Sequence, residues 1–368
     1  MALDNINAYR LTTGEPITSV TRALIIPRPA EHGFTVVDQA GAPVVDALTF
    51  RKSSLNICTF VDRAQPLETV RLKGRYLFAG DYWAHFGHFL FESLARLWAL
   101  DHLDVPLDGI IFYAPRGRGT LDPASVQAQI LATLGIDLPI YLVSKPTEVD
   151  ELLVPRQACG LGGLASGTPA ARAFFQNRLR RVPPKAGVER LYLSRLGYRL
   201  RRGGMFAEQV LQRNLERQGY VAYMPERHSI EDQIATYLGA EKIVAPDSSA
   251  LHMFGFVGRP EQDLAIVLRR TEGATDILPQ VTGFTGRMPL VIDRINRIWA
   301  RENYKNPSWG SFAEIDFAKL GQDLCDAGFI DTLDTWETPK GWQWQKIRNS
   351  AALQLRNTFV ECPIVRAA

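Results

Sequence analysis

Cysteine is scarce in this chain: four in 368 residues, Cys58, Cys159, Cys325 and Cys362, all far apart in sequence. None pairs at metal-ligand spacing, which argues against a disulfide framework or a cysteine-based zinc module; the four read as free thiols in a reducing compartment. Long hydrophobic runs are missing too. No apolar stretch approaches the roughly 20 residues that a bilayer-spanning helix needs. The opening Met-Ala-Leu-Asp-Asn-Ile-Asn lacks the basic and apolar regions of a secretory signal. A cytoplasmic protein without an integral membrane span is therefore expected, with peripheral membrane contact left open. Charge of one sign is also absent: 42 Lys and Arg against 39 Asp and Glu give a net +3. That is too weak to expect nucleic acid as a partner, so any electropositive function must come from local clustering. Short-period repeats and low-complexity tracts do not occur.

What is present is ordinary for a globular protein, with 46% hydrophobic and 22% charged residues, and the length favours about two domains. Phe34-Thr-Val-Val and Val44-Val-Asp-Ala-Leu-Thr-Phe flank the turn-forming Gln39-Ala-Gly-Ala-Pro and predict a hairpin. Strands follow at 75–79, 109–115, 140–143 and 151–154, with helices at 86–100, 122–134 and 170–181. The glycine-rich stretch from Cys159 to Gly167 lacks dinucleotide-fingerprint spacing and reads as a flexible loop. Val182-Pro-Pro-Lys then marks the best domain boundary, and the alternation of strand and helix restarts at Arg190. Strands alternating with helices of this length indicate parallel sheets covered on both faces, the α/β class. The expected division is an N-terminal α/β domain over 1–182, a second over 188–290, and a mostly helical extension over 291–368. That extension holds five of the seven tryptophans: Trp299, Trp309, Trp336, Trp342 and Trp344. Two such domains joined at prolines imply a ligand cleft between them.

Residues 80–103 stand out. Phe86, Phe89, Leu90, Phe91, Leu94, Leu97, Trp98 and Leu100 cover over half of a helical wheel, so the helix should be largely buried. Across it His88, Glu92 and Arg96 fall four apart, with His85 three before, forming one polar stripe. Burying such groups is expensive unless they pair or face a polar cavity. The stripe is either the thin solvent face of a packed helix with a routine Glu92–Arg96 ion pair, or the lining of a site.

A second unusual stretch is Ala245-Pro-Asp-Ser-Ser-Ala-Leu-His-Met-Phe, which follows a buried strand and opens a helix. Asp247 or Ser248 can act as N-cap, and small side chains leave the first-turn amides open to an anion such as a diphosphate. His252 would lie one turn in; the competing reading makes it a satisfied core histidine. Arg195-Leu-Gly-Tyr-Arg-Leu-Arg-Arg carries four arginines in eight residues at the end of a strand, where Arg195, Arg199 and Arg202 could grip phosphate oxygens. A solvated loop is the alternative for at least two of them. Ser229 and Asp232 read as helix capping, whereas Gln233 has no such explanation if it faces the cleft. Asp-x-Asp occurs nowhere, which removes a common carboxylate pair for a divalent cation.

At these residues the chain resembles the family-61 glycosyltransferases. The resemblance rests on Gly87-His88-Phe89-Leu90-Phe91-Glu92-Ser93-Leu94-Ala95-Arg96-Leu97-Trp98, on Leu191-Tyr192-Leu193-Ser194-Arg195, on Ser229 to Gln233, and on Ser248-Ser249-Ala250-Leu251-His252. It spans roughly residues 75–260, and the usual glycine-bearing form of the last motif is here Asp247-Ser248-Ser249. The resemblance implies a GT-B architecture and inverting, metal-independent transfer from a nucleotide-sugar donor to a glycan or other hydroxyl acceptor, in capsular or surface polysaccharide biosynthesis, with no further cofactor. It implies His88 or Glu92 as base, with Arg96 fixing Glu92 and with His85 and Asp81 as alternatives. The nucleotide side would then comprise Arg195, Arg199, Arg202, Gln233, Asp247, Ser248, Ser249 and His252. A non-catalytic nucleotide or glycan binder, and another phosphate-dependent transferase such as a sulfotransferase, are the competing readings.

Overall fold

A computed structural model describes residues 17–27, 35–51, 54–55, 68–115, 122–198, 200–302 and 310–366. Phe34, Cys58, Arg199 and Trp309 lie outside these described residues. The chain divides into two compact units, Met1–Arg178 and Leu179–Ala368.

The first unit is built on strands β1 (Ile17–Ile26), β2 (Thr35–Val37), β5 (Val70–Asp81), β6 (Gly109–Tyr113), β7 (Ile140–Val143) and β8 (Thr147–Pro155), in the spatial order β2-β1-β8-β5-β6-β7. The four strands β8, β5, β6 and β7 run parallel, and β1 pairs antiparallel with both β8 and β2. Gly109-Ile-Ile-Phe-Tyr is buried along its whole length, as a strand covered on both faces must be. Phe78, Ile111, Val149, Leu152 and Val154 form the heart of the core with Ala23 and Ile25 from β1. Each large apolar side chain so buried contributes about 1.5–3 kcal/mol. Helix α1 (Val126–Thr133) is started by Ser125, whose Oγ accepts from Ala128 N, and α2 (Pro169–Leu179) closes the unit. A short ladder joins β3 (Phe50–Arg51) to β4 (Ser54–Leu55).

The predicted hairpin is only partly present. Asp38 Oδ1 accepts from Ala40 N and Ala42 N, both at 2.9 Å, and the chain returns to donate Val44 N to Val36 O. Val45–Ala47 then makes a 3-10 turn instead of a second strand. The cause is long-range: the Asp46 carboxylate accepts from Thr18 Oγ1 at 2.5 Å and from Arg156 Nε at 3.1 Å, which turns this segment inward.

The second unit contains a wholly parallel sheet of β9 (Arg190–Leu193), β11 (Val221–Tyr223), β12 (Lys242–Pro246), β13 (Asp263–Val267) and β14 (Leu290–Ile292) in the order β11-β9-β12-β13-β14. Helices α3 (Glu208–Arg217), α4 (Ile230–Gly239), α5 (Ala250–Val257) and α6 (Ile277–Thr285) make the crossovers. The chain steps from β9 to β11 on one side and to β12 on the other, so the strand order reverses between β9 and β12. Crevices at the carboxyl ends of such a pair are where ligands bind in doubly wound sheets.

Residues 291–366 differ from the mostly helical extension expected. Besides α7 (Phe317–Asp326) and α8 (Gly341–Leu355), they supply β15 (Ile295–Arg301), β16 (Phe312–Ile315) and β17 (Phe359–Cys362) to a sheet ordered β10-β16-β15-β17, where β10 is Gly204–Met205. Phe206 stacks on Phe312 with ring centroids 4.7 Å apart, and Trp299, Trp344 and Phe359 pack around them. These strands are short and interrupted by charges, which hid them among the helical signals of their neighbours.

Candidate functional site

In the first unit the chain leaves β5 at Asp81 and enters the stretch read as one helix. The structure breaks that helix into an α turn (Phe86–His88), a π turn (Phe89–Ser93) and a 3-10 turn (Leu97–Asp101). The wide turn is marked by Leu94 N donating to Phe89 O at 3.3 Å, and Ser93 is held by its Oγ accepting from Trp83 N at 2.9 Å. π turns of this kind recur at functional sites.

The polar stripe is therefore divided. His88 and Glu92 remain in contact, Nδ1 to Oε2 at 2.5 Å, with the Glu92 side chain 2% and the His88 side chain 30% exposed. Nδ1 is thus the ring nitrogen that faces the Glu92 carboxylate, and Nε2 is on the other side of the ring. The rings of Trp83 and His85 lie 5.4 and 5.0 Å from that of His88. Asp81 is buried at the strand end, and His85 is exposed.

Arg96 departs from the expected pairing with Glu92. It is fully buried, and its guanidinium donates to Pro155 O at 3.0 Å, Leu48 O at 2.7 Å, Asp46 O at 3.3 Å and Thr49 Oγ1 at 3.4 Å. The change of phase through the wide turn carries Arg96 away from Glu92 and onto segments far off in sequence, where it stitches the 46–49 loop to the end of β8.

In the second unit Arg195, Asp247, Ser248 and Ser249 follow the two strands at the order reversal. Tyr192 of β9 is opposite Val244 of β12, and three residues beyond each lie Arg195 and Asp247. Asp247 or Ser248 was expected as the helix cap, and neither is: the cap position is Ser249. The Asp247 carboxylate is wholly buried and accepts from Arg269 N at 2.7 Å and from Arg270 Nε and Nη2 at 3.1 and 3.0 Å. Ser249 occupies the cap position of α5 without a side-chain cap bond, and Ser248 is buried beside it. Arg195 N donates to Glu208 Oε1 at 2.6 Å, and Tyr192 Oη donates to the same oxygen at 3.2 Å. Burial raises the pKa of Glu208, with the Arg195 backbone and charge opposing. Burial also lowers that of Arg269, to about 9; Asp247 opposes this, while the charges of Arg195 and Arg270 add to it.

Residues 86–262 match the family model described as Glycosyltransferase 61. These residues belong to glycosyltransferase family 61. No curated protein matches the chain. The family-61 segment takes in both clusters, His88–Glu92 and Arg195–Asp247, and ends before Arg269.

Other members of the expected nucleotide side are placed differently. Gln233 is buried, and its amide nitrogen donates to Pro225 O at 2.8 Å and His228 O at 3.2 Å, bracing the loop before α4, while its Oε1 is buried with no hydrogen-bond partner. The bonds of Ser229 to Asp232 N, and of Asp232 to Lys185 and Tyr223, are those of a helix start tied to its surroundings. His252 Nδ1 meets Gln280 Oε1 at 2.5 Å, while Gln280 Nε2 donates to His252 O at 3.0 Å. That amide orientation makes Nδ1 the donor to Gln280. Arg202 is exposed in the turn Leu200–Arg202. Sequence reasoning missed Glu208, Arg269 and Arg270. The signal was there for the arginines: Leu268-Arg-Arg follows an apolar parallel strand just as Ser194-Arg follows β9. Among the described residues, no three His, Cys, Asp or Glu side chains gather as metal ligands, and no helix is long and apolar enough to cross a membrane.

Proposed function

We propose that the protein is an inverting, metal-independent glycosyltransferase that moves a sugar from a nucleotide-sugar donor to a hydroxyl of a glycan, in the building of a capsular or surface polysaccharide. The units would act as a GT-B pair, the second taking the donor and the first the acceptor. One observation supports this most within a family-61 chain: Arg195 and the Asp247–Ser249 turn leave the two parallel strands that flank the order reversal, the expected position for a phosphate group.

His88 serves as the base and Glu92 as its orienting partner. The acceptor hydroxyl gives its proton to His88 Nε2 as its oxygen forms a bond to the anomeric carbon. The bond from that carbon to the phosphate oxygen breaks on the opposite face, and its electron pair leaves with the nucleoside diphosphate. Glu92 stabilises the imidazolium that results, and general-base help of this kind is worth about 10²–10⁴-fold. The arginines of the second unit balance the charge that grows on the leaving group. Arg96, enclosed by backbone carbonyls, supports the fold of this wall and does not touch substrate.

The test is to incubate the full chain with a panel of nucleotide sugars, following thermal shift and release of nucleoside diphosphate. The reading expects one nucleotide class both to stabilise the protein and to be turned over. Stabilisation without turnover, unaffected by His88→Ala, would make it a binder. A response to a sulfonucleotide alone would make it a different transferase.

A further inference from the structure

Arg269 and Arg270 sit just past β13, the neighbour of β12, and outside the family-61 segment. Pro246 of β12 is opposite Val267 of β13, so the 268–270 turn lies against the Asp247 turn. Three arginines meet two buried carboxylates there: Arg195, Arg269 and Arg270 with Asp247 and Glu208. Asp247 is fully engaged. Besides its carboxylate bonds, its backbone oxygen accepts from Arg269 Nε at 3.0 Å. Gly273 leaves room for it, since a Cβ there would come within 2.2 Å of Asp247 Oδ2.

The arginines are not so well satisfied. Arg269 is 5% exposed, yet its Nη1 is buried with no hydrogen-bond partner, and Arg195 Nε is in the same state. A charged donor left unpaired in the interior is costly, and here the positive charge of one guanidinium acts on the other. One anion shared by the two groups answers both needs at once: it supplies the missing acceptors and separates like charges with an opposite one. Because both nitrogens are shielded from solvent, ligation requires a local shift of the side chains around them.

We propose that Arg269 is a ligand of the donor's diphosphate, gripping the leaving phosphate oxygens together with Arg195, and that Asp247 is the positioning residue that holds Arg269 and Arg270 at the strand ends. This rests on the donor reading given above. It adds a ligand from beyond the family-61 segment and moves Asp247 from ligand to support.

Isothermal titration of the full chain with inorganic pyrophosphate, UDP, GDP and ADP tests it, comparing wild type with Arg269→Gln, Arg269→Lys and Asp247→Asn. The expected result is that wild type binds at least one of these probes, that Arg269→Gln weakens it about tenfold or more, and that Arg269→Lys falls between. Asp247→Asn should weaken binding about threefold or more in wild type and have no further effect beside Arg269→Gln, a coupling that a purely structural role would not produce. If Arg269→Gln does not fold, hydrogen exchange of wild type decides: pyrophosphate should slow exchange over 268–273 as well as over 194–198. Binding within twofold of wild type for both Arg269 variants, or protection confined to 194–198, overturns the assignment of Arg269 and leaves the donor reading standing. Failure of wild type to bind any of the four probes overturns the donor reading, and this assignment with it.

Discussion

His88 and Glu92 divide their labour by exposure. The Glu92 carboxylate is sealed in, whereas the His88 imidazole is partly exposed, which in the proposed reaction makes His88 the base and Glu92 its orienting partner. His88→Ala should therefore lower kcat by about 10²–10⁴-fold with the melting temperature nearly unchanged. Glu92→Gln keeps an acceptor for Nδ1 but loses the charge that stabilises the imidazolium, so its loss should be smaller; steady-state kinetics on the donor found active would show the order, and a reversed order would make Glu92 the base. Glu208 carries a different kind of prediction. Its carboxyl is pushed above the ordinary 4.5 by burial, so between the unfolded and the folded value the native state binds more proton than the unfolded chain does. Stability from this source is present below the unfolded value and is lost as pH rises through the folded one. Glu208→Gln retains the acceptor oxygen for Arg195 N and Tyr192 Oη and removes the charge. Urea unfolding between about pH 4.5 and 7 should show that the variant loses less stability on raising the pH than wild type does; parallel curves would refute it.

At the scale of elements, the wide turn at 89–93 is set by what lies on either side of it. Ser93 anchors it to Trp83, and Arg96 fixes its far end to the 46–49 loop and β8. Gly80, one residue before β5 ends, makes that anchorage possible. Its φ of +92° is in the left-handed region, and a Cβ there would come within 2.8 Å of Arg96 Nη1. Gly80→Ala should destabilise the protein by about 1–3 kcal/mol through backbone strain and displacement of Arg96. Chemical denaturation measures it, and a change below about 0.5 kcal/mol, the range of ordinary surface substitutions, would show that Arg96 is not held as described.

At the scale of the molecule, each unit is a parallel sheet with additions, and the second absorbs the C-terminal residues instead of carrying them as an appendage. Arg190 forms a two-pronged pair with Asp331 at 2.9 Å, Asn214 exchanges hydrogen bonds with Glu337, and Tyr220 Oη donates to Phe329 O. The positive charge for a leaving diphosphate comes in the proposed reaction from guanidinium groups. Turnover should then persist within about twofold in excess EDTA, an order smaller than the loss of a charge-stabilising group produces. Abolition by EDTA with restoration by a divalent cation would replace the arginine account with a metal-assisted one.

The alternation of apolar strands and helices was enough to give the α/β class, the capping of α4 by Ser229, and the nearness of His88 to Glu92, because all of these are fixed by residues within a turn or two of each other. The arginine at the end of β9 was legible for the same reason. Other features were not. Arg96 finds its partner 59 residues away at Pro155, and Asp247 finds Arg269 at a distance of 22. Periodicity describes which side chains share a face of one element; it carries no information about which strand will be laid beside it. The order β9-β12-β13 and the extra residue in the 89–93 turn decided those contacts, and with them which charged groups are tied into the fold far from their sequence neighbours.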